Sequence, residues 1–82
     1  MITKLEERFE NAKEKFAKEQ TSLIFSKFEA EKILEDTELT LQLFVVAKDH
    51  PDKKRLVALH NQLKDFLDLV DGLIELKRGY TI

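Results

Sequence analysis

Eighty-two residues, with 14 Lys and Arg against 16 Asp and Glu and a net charge of −2, describe one domain spanning 1–82. It is large enough for a core but small enough that tight packing or a partner has to supply part of its stability. The absence of cysteine excludes disulfide frameworks, thiolate metal sites and a cysteine nucleophile, and the balance of charge excludes a whole-molecule field that would draw in nucleic acid or an anionic membrane.

No run of about 18 apolar residues exists, and MITKLEERFE has no apolar stretch of the kind a secretory signal needs. A cytoplasmic protein with no membrane partner is therefore expected. Chain breakers are scarce: Pro51, Gly72 and Gly79 are the only prolines and glycines. A fold of many short strands needs more turns than that, so the fold class expected is all-α.

The first element is an amphipathic helix over about 3–20. Leu5, Phe9, Ala12 and Phe16 recur at spacings of 4, 3 and 4 with charge on the other sides, and Thr3-Lys4-Leu5-Glu6 reads as a capping box. Gln20-Thr21-Ser22 offers a break, with Ser26-Lys27-Phe28-Glu29 as a second capping box. Two architectures satisfy this region. Either the first helix folds back to make a three-helix bundle, or it runs unbroken from about 3 to 48 and projects a coiled-coil-like arm that pairs with a second copy. Weak helix formers at 21–22 favour the break. The lack of Gly and Pro favours the arm, and the narrow stripe resembles a seam, so self-association as a homodimer is expected.

The second element, 22–48, contains ELTLQLFVVAKDHP, in which Leu39, Leu41, Leu43 and Val45 alternate as in a strand. A strand here would lack a partner, since the only other extended candidate is Tyr80-Thr81-Ile82. As a helix the stretch places Ile33, Leu34, Leu41, Phe44 and Val45 on one broad face and Leu39, Leu43 and Val46 elsewhere. A helix apolar nearly all round is covered on more than one side.

The third element, 52–78, carries Leu56, Leu59, Leu63, Phe66, Val70 and Leu73 at spacings of 3, 4, 3, 4 and 3, the pattern of a helix packed along a seam, widened by Val57, His60, Leu67 and Ile74. Pro51 suits the first helical position, Asp52 the positive end of the dipole, and Lys77 and Arg78 the negative end, with Gly79 as the left-handed stop. A tight turn at Asp49-His50-Pro51 folds 22–48 against 52–78 as an antiparallel hairpin.

Few residues invite chemistry. His50 and His60 sit apart, one in the turn and one on a helix flank. Glu31, Glu35, Asp36 and Glu38 make a solvated acidic face, with Lys64 as the expected partner of Asp36, so no metal site is expected. No glycine-rich phosphate loop or nucleophile–base pair is present, and neither catalysis nor a cofactor is expected.

Lys53, Lys54 and Arg55 at a helix start could touch phosphates, but flanking Asp49 and Asp52 and the absence of interleaved aromatics make nucleic acid the rival partner rather than the expected one. Apolar residues left over by a simple hairpin point elsewhere: Leu5, Phe9, Phe16, Leu39 and Leu43 are the candidate interface, with Val46, Leu69 and Leu76 also partly uncovered. The function expected is a non-enzymatic interaction module of adaptor, chaperone or inhibitor type that binds another protein by helix packing.

Overall fold

The computed structural model describes residues 2–44 and 50–80. They form three helices, α1 (Ile2–Ala17), α2 (Leu23–Gln42) and α3 (Pro51–Tyr80). The chain turns back after α1, so the first element folds onto the hairpin and the arm is not formed.

Local hydrogen bonds explain the reversal without glycine or proline. Glu19 adopts the left-handed region at φ 56°, its N–H donates to the Phe16 carbonyl at 3.2 Å, and the Gln20 N–H donates to the Lys15 carbonyl at 2.9 Å. These are the two bonds of a Schellman cap, here built on a residue with a Cβ. Ser22 then starts α2: its Oγ accepts from the Phe25 N–H at 3.1 Å.

Side-chain pairs fix the topology as up-down-up. Arg8 bonds Asp36 at 2.7 Å and Lys15 lies 3.9 Å from Glu29, so α1 and α2 are antiparallel. Lys27 pairs with Asp71 at 2.9 Å and His60 approaches Glu38 at 3.6 Å, which makes α2 and α3 the antiparallel hairpin expected. Between α1 and α3 the order is parallel: Glu6 holds Arg55, and Phe9 and Phe16 both meet the edge of Phe66, with ring centroids 5.7 and 5.2 Å apart.

The core sits where the three helices meet. From α1 it takes Leu5, Phe9 and Ala12, and from α3 Leu56, Leu59, Leu63, Phe66 and Val70. α2 buries Ser26, Ala30, Ile33, Thr37 and Thr40, with Leu23, Leu34 and Leu41 partly buried against the same core. Thr37 and Thr40 donate their hydroxyls to the carbonyls of Ile33 and Asp36, each at 2.8 Å, which satisfies them within the helix. Ser26 Oγ is buried and has no hydrogen-bond partner among the described residues.

Several local expectations are corrected. Thr3 lies inside α1 and its supposed capping partner Glu6 binds Arg55 instead. Ser26 is a core residue, and Ser22, four positions earlier, is the cap. Asp36 takes Arg8 rather than Lys64. Gly79 gives no left-handed stop, because α3 continues through it to Tyr80 and no described glycine has positive φ. Val57 is exposed rather than part of the seam. At the start of α3 the Pro51 expectation holds, and the His50 ring serves as cap, its Nδ1 accepting from the Asp52 N–H at 3.1 Å. Val45, Val46 and Asp49 lie outside the described residues.

Candidate interaction surface

The five residues expected to form an interface separate into two groups. Leu5 and Phe9 are buried in the core and Phe16 is half-buried against Phe66, so the α1 stripe is occupied by its own chain. Leu39 and Leu43 stand on the outside of α2, 54% and 71% exposed.

They are not alone there. Ile24 and Phe28 are 71% and 64% exposed, and Phe25 is about half exposed at 49%. At 3.6 residues per turn, Phe28 and Leu39 stand three turns apart on one azimuth, with Ile24, Phe25 and Leu43 close beside it. Lys32 and Glu35, both exposed, occupy the middle of the same face. The outer face of α2 is therefore apolar at both ends and charged at its centre. It lies opposite the face that packs on α1 and α3.

α2 is thus apolar on two sides rather than one. Its inner side mixes Ser26, Thr37 and Thr40 with Ala30, Ile33 and the partly buried Leu23, Leu34 and Leu41, while two phenylalanines, an isoleucine and two leucines meet water. Each of those large side chains forgoes part of the roughly 1.5–3 kcal/mol that full burial contributes. Leu39 and Leu43 stand among the residues the hairpin leaves over, whereas Ile24, Phe25 and Phe28 join them only through the structure; the signal for Phe25 and Phe28 is their spacing of 14 and 11 residues from Leu39 on one helical face.

A second opening lies where α1 stops. Beyond Ala17 the bundle is only two helices thick, and a notch of about 710 Å³ is lined by Phe16, Leu23, Leu73 and Leu76 among others. Leu69 and Leu76 are more than half exposed. Gly72, also exposed on this part of α3, has nothing within 4 Å of where a Cβ would stand.

Of the charged candidates Lys53, Lys54 and Arg55, only Arg55 is committed to the fold. Glu6 bonds the Arg55 guanidinium and, with its negative charge and that of Asp52, holds it above its ordinary pKa. Of the basic cluster this leaves Lys53 and Lys54 with no ion pair among the described residues. Asp71 likewise raises the pKa of Lys27, chiefly through their hydrogen bond. Among the described residues no group of three or more His, Asp or Glu is placed to hold a metal ion, and no helix is long and apolar enough to cross a membrane. Compared with known proteins, the chain gives no match to a family model, to a curated protein or to a solved structure.

Proposed function

We propose that the protein is a small cytoplasmic interaction module, of adaptor, chaperone or inhibitor type, which binds protein by helix packing and self-associates. The observation that carries this reading is the second apolar face of α2. A helix that already packs Ala30, Ile33, Leu23, Leu34 and Leu41 against its own bundle and still exposes Ile24, Phe25, Phe28, Leu39 and Leu43 offers an apolar surface suited to a partner. Alternating apolar anchors on a helix are the usual means of helix-in-groove recognition.

The test compares wild type with a Phe28→Ser/Leu39→Ser variant as baits in a lysate of the native source, after circular dichroism has checked that both are equally helical. Protein retained by the wild type and lost with the variant is expected. Equal retention by both baits, or none by either, removes the outer face of α2 as the docking surface.

A further inference from the structure

The outer face of α2 reads nearly the same from either end. Phe25, Phe28, Lys32, Glu35, Leu39 and Gln42 follow one another at spacings of 3, 4, 3, 4 and 3, the stripe of a helix that packs along a seam. The centre of that stripe falls between Ile33 and Leu34. Phe28 and Leu39, and beside the stripe Ile24 and Leu43, lie at equal distances on its two sides, Phe25 has the polar Gln42 as its counterpart, and at the centre a lysine faces the place of a glutamate.

We propose that this face binds a second copy of the chain, α2 against α2, antiparallel about a two-fold axis between Ile33 and Leu34. In that register Phe28 packs on Leu39 of the second copy, Ile24 reaches Leu43, and Lys32 stands opposite Glu35. Symmetry repeats every contact, so two Lys–Glu pairs flank the axis and two apolar clusters close the ends.

Charge decides the direction. A parallel pair in register would set Lys32 on Lys32 and Glu35 on Glu35, repulsion at the middle of the seam. The antiparallel pair converts the same four groups into two attractions. Neither Lys32 nor Glu35 takes part in an ion pair among the described residues, so both are available to the second copy without breaking anything in the first. A two-fold interface needs a face that complements itself, each residue meeting one that suits it, and the pairs Ile24–Leu43, Phe28–Leu39 and Lys32–Glu35 meet that condition. Twenty residues from Ile24 to Leu43 give a seam roughly 30 Å long.

The inference rests on the reading of α2's outer face as a docking surface and names its occupant. Sedimentation equilibrium of the full chain tests it with two single charge reversals, Lys32→Glu and Glu35→Lys, which lie on the surface, with circular dichroism confirming that each folds. Wild type is expected to be a dimer. Each reversal alone puts like charges together at both sites and is expected to weaken dimerisation by about 10- to 100-fold. Mixing the two variants in equal amounts restores opposite charges at both sites, and the dimer is expected to return.

A wild type that stays monomeric overturns the self-pairing but leaves the docking reading to the Phe28→Ser/Leu39→Ser comparison, which detects any occupant. A dimer indifferent to both single reversals overturns the antiparallel register.

Discussion

Two serines four residues apart are expected to answer the same substitution in opposite directions. Ser22→Ala removes the hydroxyl that caps α2 and should lower stability by about 1 kcal/mol. Ser26→Ala removes a buried hydroxyl with no hydrogen-bond partner and replaces a mediocre helix former with the best one, so it should raise stability by about 1 kcal/mol. Denaturant midpoints for the two variants check both signs. The sequence shows a capping pattern at Ser26 and only a weak helix former at Ser22; which serine caps depends on where the chain reverses, and that is set a few residues earlier. Glu19 sets it. A non-glycine residue in the left-handed region costs roughly 1–2 kcal/mol, so Glu19→Gly, with no other change, is expected to raise stability by about 1 kcal/mol, seen as a higher denaturant midpoint. Lys27 gives a pH dependence. Asp71 raises its pKa above the usual 10.5, so the folded state holds this proton more tightly than the unfolded chain does. The stabilisation is fully present below that usual value and is lost as pH rises through the higher folded value. A stability profile from pH 8 to 12 should therefore fall more steeply for wild type than for Lys27→Met. Both groups are exposed, so the effect is small and diminishes with salt.

At the scale of elements, α1 and the outer face of α2 should behave as opposites. Phe9→Ala removes a buried ring that meets Phe66 edge-on and should cost about 3–5 kcal/mol, enough to release α1 and with it much of the cooperative unfolding. Leu39→Ser, at a protein concentration where the chain is monomeric, should change stability by no more than about 0.5 kcal/mol. Thermal or urea unfolding followed by circular dichroism separates the two. The all-helical character, the antiparallel hairpin and nearly all of the α3 seam were legible in the sequence, because hydrophobic spacing reports helices and faces directly; the break after α1 and the end of α2 at Gln42 rather than 48 were not. Whether the α1 stripe closes on its own chain or on another was not, because Leu5, Phe9, Ala12 and Phe16 have the same spacing in either case. The decision lies in a Schellman cap on a glutamate, a turn without the glycine that usually marks one. The candidate surface was half legible for a related reason. Leu39 and Leu43 stand out as residues a hairpin leaves over, whereas only the structure shows Phe25 and Phe28 outside, with Ala30, Ile33 and Thr37 holding the inner face of α2.

Across the whole molecule the shape is long and thin, 50 × 20 × 14 Å with a radius of gyration of 14.4 Å, where about 12 Å is usual for a compact chain of this length. Such a body has much surface for its volume, and a second copy laid along α2 would make it thicker without lengthening it. If the pair forms, stability should depend on protein concentration, and raising concentration 100-fold should increase the melting temperature measurably, whereas a monomer melts at one temperature throughout. The unequal helix lengths leave a mark on the dynamics. α1 has 16 residues and α3 has 30, and because the two run parallel from the same end, α3 continues beyond the last turn of α1 with only the start of α2 beside it. Amides near Leu56, Leu59 and Leu63 should exchange with solvent only when the whole molecule unfolds, while those after Val70 should exchange through smaller openings that leave the rest folded. One continuous helix would then carry two different protection levels, with the step near Leu67, opposite the place where α1 stops.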